Sequence, residues 1–247
     1  MKRWILSFCL TIFFSIPLLA QTPPAAGVNL DLASLMTPGT FSNSINLMLS
    51  LSMITLVPFF LMSTTSFLRI VIVLSMIRQA IGTAQAPPNA VIVSLSLFLT
   101  MFVMTPTLNE VNQTAYQPYK EGKISQKDAL SLGVKPFRKF MFKCVREKDL
   151  ALFLEFGQVK YTGNQDEVPI FVLIPAFVIS ELKTAFQIGF LLFIPFVVID
   201  LVVSNILLSL GMFMLSPAMV SLPFKILLFV LTDGWNLIIQ GLLLSFR

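Results

Sequence analysis

Between residues 168 and 246 the chain is apolar enough to lie in a membrane, yet Glu181, Lys183, Asp200, Lys225, Asp233 and five prolines interrupt it. At the centre of an inserted helix an ionisable residue costs roughly 2.5–3.5 kcal/mol, while a Leu, Ile, Phe or Val returns about 0.3–0.6 kcal/mol. In residues 218–231, nine Leu, Ile, Phe and Val side chains contribute about 4 kcal/mol, which Lys225 nearly cancels before Pro223 is counted. Such charges need partners inside a protein bundle or along a water-filled path, and intramembrane ionisable groups are functional candidates for that reason.

The rest of the composition supports a membrane protein. Of 247 residues, 56% are hydrophobic and 12% charged, with a mean hydropathy of +0.86, values that exclude an ordinary soluble globule. The net charge of +5 does not mark a nucleic-acid surface. Ten of the seventeen Lys and Arg fall within residues 109–167 beside eight acidic residues, so no polybasic patch forms. There is no histidine, which removes Ser-His-Asp and Cys-His nucleophile systems, His-containing zinc sites and haem ligation through His. No catalytic, cofactor or metal site is expected, and a membrane enzyme is disfavoured.

Residues 1–20 carry Lys2 and Arg3, then an apolar run from Trp4 to Leu19. They read as a bacterial-type signal peptide, with a retained membrane anchor as the other reading. Cys9 falls within it and leaves Cys144 alone, so no intramolecular disulfide is expected. Residues 21–44 read as an extended segment, residues 45–108 as an N-terminal apolar hairpin region, residues 109–167 as a small helical water-facing domain, and residues 168–247 as a C-terminal apolar hairpin region. A turn is expected at residues 82–89, where Pro87 and Pro88 deny helical geometry to the residues before them. In the water-facing domain Ser125 reads as a helix start, and Phe137, Phe140, Met141, Cys144 and Val145 recur at helical spacing. That domain is either a solvated linker packed on its own membrane part or a dedicated binding element.

Four spans are counted, near residues 45–62, 90–108, 185–208 and 212–231. With the N-terminus outside, a loop with Arg69 and Arg78 falls on the positive cytoplasmic side and the polar domain falls outside. Gly211, Ser216 and Pro217 favour a hairpin turn over one straight crossing. Glu181 and Lys183, two residues apart, point about 200° from each other on a helix and need separate partners. Lys225 is the candidate for Glu181, within one chain or between subunits, as a structural ion pair or as part of a relay. Ser204, one turn from Asp200, could donate to it, and Asp233 before Gly234 suits a turn or cap. Met212, Phe213 and Met214 fall at the expected bend. They are either ordinary core filling or soft, deformable side chains suited to a changing partner.

Three long strings, SFLRIVIVLSMIRQAIGTAQAPPN (66–89), FVISELKTAFQIGFLLFIPFVVIDLVVSNILLSLGM (177–212) and SLPFKILLFVLTDGWNL (221–237), resemble the family of the flagellar biosynthesis protein FliP and its virulence type III secretion counterparts. The resemblance implies an all-α fold of membrane-associated helical hairpins that assemble in several copies with FliQ and FliR into an oligomeric helical channel, the type III protein export gate of the flagellar basal body. A small helical domain would then lie outside the cytoplasm. It implies a gasket at Met212, Phe213 and Met214, with Phe213 where the family has Met, and intersubunit ionic contacts at Glu181, Lys183 and Lys225, beside buried polar Asp200 and Arg69. Unfolded export substrates, further export-apparatus subunits and membrane lipid are the implied partners. The competing reading is an ion or small-molecule carrier that uses Glu181, Asp200 and Lys225, and the absence of a clear inverted repeat weakens it.

Overall fold

The computed structural model describes residues 38–246 apart from 84, 160 and 162. The expected signal peptide lies outside the described residues, as do residues 21–37 of the segment expected to be extended. Its end, from Pro38, is already helical. Among the described residues every regular element is helical: α1 (Pro38–Thr64), α2 (Phe67–Ile81), α3 (Asn89–Val111), α4 (Gln126–Cys144), α5 (Glu147–Phe156), α6 (Ile170–Ser209), α7 (Pro217–Leu231) and α8 (Gly234–Leu244). A π-helical turn (Asn112–Tyr116) and one more helical turn (Gln117–Lys120) extend α3, so the helical run is 32 residues long. From Leu56 onward the chain forms one compact unit.

The centre of that unit is the packing of α2 on α6. Ile70, Val73, Leu74 and Ile77 repeat at i, i+3, i+4 and i+7, and all four are at most 1% exposed. They meet Val172, Leu173, Ala176 and Phe177 of α6 in the main apolar cluster. This is the spacing that turns one helix face into a continuous core stripe. α4, α5 and α7 also pack on α6, and α3 packs on α2 and α4.

Local chemistry explains the boundaries. Gly82, at φ +86°, ends α2 and donates its N–H to the Gln79 carbonyl, the left-handed position that glycine adopts without a Cβ penalty. Pro88 precedes α3, so the turn expected at residues 82–89 lies between the two helices. Ser125 caps α4 by accepting from the Asp128 N–H at 3.2 Å. On α4, Phe140 and Met141 are buried as the periodicity required.

The expected bounds of the third and fourth spans need correction. The third expected span, 185–208, is the second half of a single 40-residue helix, α6, that runs through Pro175 and Pro195. The fourth begins at Pro217 rather than Met212. Two helical runs, Asn89–Lys120 and Ile170–Ser209, are each long and apolar enough to cross a membrane. The number rises to four if each bent pair, residues Ile54–Thr64 with α2 at 73° and α7 with α8 at 64°, counts as one span. Interior prolines do not stop such helices, because neighbouring helices and local adjustment satisfy the freed carbonyls.

Candidate functional site

α6 carries Glu181, Lys183 and Asp200 of the charged residues singled out in the sequence, and its length distributes them to three neighbours. Glu181 faces α2. Arg69 donates Nε–H to its Oε2 at 2.9 Å, and a second, shorter bond joins Nη2 to Oε1. The other arm of Arg69 reaches the end of the chain: Nη1 donates to the Ser245 carbonyl at 2.9 Å and to Ser245 Oγ at 3.0 Å, and the guanidinium lies 4.0 Å from the centre of the Phe246 ring. Glu181 is fully buried and Arg69 is 3% exposed. A buried fork of this kind offsets its desolvation cost only because the lone pairs and donors are nearly all used.

Lys183 points the other way, as the two-residue spacing required, and pairs with Asp149 of α5. Asp149 also accepts from Ser180 Oγ at 2.9 Å, and Ser180 in turn accepts from the Arg146 N–H at 3.0 Å. Burial pushes the Asp149 carboxyl up. The hydrogen bonds from Lys183 and Ser180, with the charges of Lys183 and Arg146, outweigh that and hold it below the usual carboxylate range. At the end of α4, burial and the nearby Glu181 charge push the Cys144 thiol up to about 11, so it stays un-ionised and inert as a nucleophile at neutral pH.

The third pair joins α6 to α7. Lys225 Nζ lies 2.6 Å from Asp200 Oδ2, and Ser221, one turn before Lys225, donates to Asp200 Oδ1 at 2.6 Å. Lys225 also donates to the Ala80 carbonyl at 3.4 Å, in the last turn of α2, where helix carbonyls lack partners and cations are favoured.

Three expectations are corrected here. Within the chain Glu181 binds Arg69, and Lys225 binds Asp200, so the expected Glu181–Lys225 pair is not made. The hydroxyl on Asp200 comes from Ser221 across the helix pair, not from Ser204. Arg69 lies in the first turn of a packed helix, α2, rather than in a charged loop. Glu181, Asp200 and Lys225 accordingly do not share one cluster. Asp149 and Ser221 were not anticipated. The available signal for Asp149 was its place beside Leu150 on the apolar face of α5.

The remaining candidates form the α6–α7 turn. Gly211, at φ +71°, donates to the Leu208 carbonyl at 3.1 Å, and Met212 N–H reaches back to the Leu207 carbonyl at 2.9 Å. This is a Schellman ending, with glycine in the left-handed position. Ser216 and Pro217 then start α7 as N-cap residue and first helical residue. Between them Met212, Phe213 and Met214 are 46%, 77% and 101% exposed. Asp233, at φ +49°, sits at the α7–α8 bend and accepts from Asn236 Nδ2 at 3.1 Å.

A family model, the FliP family, matches residues 50–242. The chain belongs to the FliP family. Among curated relatives, the flagellar biosynthetic protein FliP of Bacillus subtilis is 49% identical over 209 residues, covering 85% of this chain and 95% of that protein. The Pectobacterium carotovorum FliP is 51% identical over 203 residues, covering 82% and 79%. The Aquifex aeolicus FliP is 47% identical over 211 residues, covering 85% and 88%. Membership in the FliP family places this chain among proteins of flagellum biogenesis and protein export, not among enzymes.

Proposed function

We propose that several copies of this chain assemble with FliQ and FliR into the channel that passes unfolded flagellar proteins across the bacterial inner membrane, within the flagellar basal body. Residues 1–20 direct the chain outward and residues 109–167 form a periplasmic domain. The observation that carries the gate reading is the α6–α7 turn, where three large apolar side chains are presented on a well-formed helix ending and are mostly unburied within the chain. Exposed apolar groups at a tip favour burial against like groups. Around a common axis, Met212, Phe213 and Met214 of several copies make a soft plug, deformable because Met is flexible and polarizable.

Ionic contacts between copies form at Glu181, Lys183 and Lys225. The Lys183 side chain is half exposed and the Asp200 side chain is 38% exposed, so each keeps a face for a neighbour. Glu181 has no exposed surface and must exchange its Arg69 bonds to reach one. Double replacement M212A/M214A raises ion leak through the closed complex in a sealed-membrane conductance assay, and an unchanged leak overturns the plug. Cysteines at Glu181 and Lys225 form an intermolecular disulfide on oxidation if copies meet there, and exclusively monomeric product overturns that contact.

A further inference from the structure

A groove of about 1110 Å³ opens between α3, α4 and α8. Its two longer walls run antiparallel, because Ala115 lies against Gly133 and, further along, Glu110 against Lys139. The α3 wall presents Phe102, Pro106 and Glu110 at i, i+4 and i+8. The α4 wall presents Lys139 and Lys143, and Lys135 precedes them by one more turn, so three exposed lysines form one row. Like charges at this spacing repel one another. Glu110, the groove's one carboxylate, stands 3.5 Å from Lys139 in a pair whose side chains are 43% and 74% exposed, which contributes little. Lys143 donates only to the neutral Phe246 carbonyl, at 2.9 Å. The groove thus offers an apolar wall beside a cationic one.

The complementary surface is on the same chain. α5 packs on α6 and buries Asp149, Leu150 and Leu154, which leaves two exposed rows on its outer side. Glu147, Ala151 and Glu155 form one row, and Lys148, Leu152 and Phe156 form the other. Phe156 is 81% exposed, and among the described residues neither Glu147 nor Glu155 is in an ion pair. A row from i to i+8 covers about 12 Å, so the two carboxylates match the spacing of Lys135 and Lys143. No residue of α5 lines the groove of its own chain. We propose that α5 of one copy lies in the groove between α3, α4 and α8 of the next. Antiparallel to α4, Glu147 falls opposite Lys143 and Glu155 opposite Lys135. The handedness of the helix then turns Leu152 and Phe156 to the α3 wall and sets Lys148 over the Phe102 ring, a cation–π contact. Because the two surfaces differ, the contact is head-to-tail and propagates into a ring or helix rather than stopping at a pair. The proposal rests on the multi-copy reading above and names one surface through which the copies meet.

The test uses full-length protein co-expressed with FliQ and FliR, extracted in detergent and weighed by native mass spectrometry. K135E/K143E and E147K/E155K each lower the multi-copy fraction severalfold, while K120E/K127E, outside the groove, leaves it unchanged. Combining K135E/K143E with E147K/E155K restores assembly, a recovery that misfolded variants would not show. In parallel, two forms of the chain are expressed together, one carrying only Lys139→Cys and the other only Ala151→Cys, and they form a mixed disulfide dimer on oxidation. An assembly of unchanged mass in both charge variants, no recovery on combining them, or no mixed dimer overturns this contact and leaves the channel reading standing. A wild-type chain that is monomeric throughout overturns both.

Discussion

The α2–α6 interface and the α6–α7 turn lie on the same long helix and obey opposite rules. At the interface, burial is complete: Arg69 and Glu181 answer each other, and Ser66 Oγ is the one buried side-chain polar atom among the described residues that lacks a partner. At the turn the backbone is equally well formed, yet Met214 has no cover at all. The interface is satisfied by this chain alone. The turn has been given order without burial, a combination that stabilises nothing in the monomer and becomes favourable only against another surface.

The sharpest way to break this contrast is to remove one half of the buried pair. Arg69→Leu strands Glu181 in the core and is expected to cost about 3–5 kcal/mol, seen as loss of detergent-stable protein in a thermal unfolding assay. The double variant R69L/E181L should recover much of that loss, because it leaves no uncompensated charge. No recovery would place the importance of Arg69 in its grip on Ser245 and Phe246 instead. A smaller effect is expected at the bend between α7 and α8. A Cβ at Gly234 would lie 2.9 Å from Phe229 Cγ and closer still to two other ring carbons. That ring is buried and packs edge-on against Trp235 at 5.3 Å. Gly234→Ala should cost about 1–3 kcal/mol by overpacking, measured by the same unfolding assay. Gly189→Ala should cost less, since the thioether of Met76 that it meets can swing aside.

The same contrast decides what the sequence could reveal. The turn was legible because its determinants are local: glycine supplies the left-handed residue, and Ser216 with Pro217 starts the next helix within six residues. The opposite facing of Glu181 and Lys183 followed from helix geometry. Their partners did not. Arg69 lies 112 residues from Glu181, and Asp149 lies 34 from Lys183, separations that only packing resolves. α6 is longer than the expected span because Glu181 and Lys183, which look like interruptions, are each paired with a neighbouring helix, and the helix also runs through Pro175. The assembly role of these charges was suggested by family resemblance, and residue spacing carries no information about a second copy.

Acid should separate the α5–α6 contact from the rest. The Asp149 carboxyl sits below its usual range when folded, so its contribution is fully present above the unfolded value of about 3.9 and disappears as pH falls through the lower folded value. Hydrogen exchange of α5 amides should be flat from neutral pH down to about 4, after correction for intrinsic rates, and rise below it. In Asp149→Asn the step should vanish, and protection should be weaker throughout. A step that survives this substitution assigns the transition to another carboxylate. The effect is modest because Lys183 is half exposed and water screens its charge.

The smallest expected effect on stability is at the most exposed residue. Met214→Ser removes a large apolar side chain that touches little within the monomer, so the unfolding free energy should change by no more than about 0.5 kcal/mol, the range of surface substitutions away from special features. In the assembled state the same change places a hydroxyl where the plug requires an apolar surface, and ion leak should rise. Stability unchanged with leak increased is the signature of order held for a partner. A clear loss of monomer stability would mean that the turn is buried within the chain after all, and the difference between the two ends of α6 would collapse.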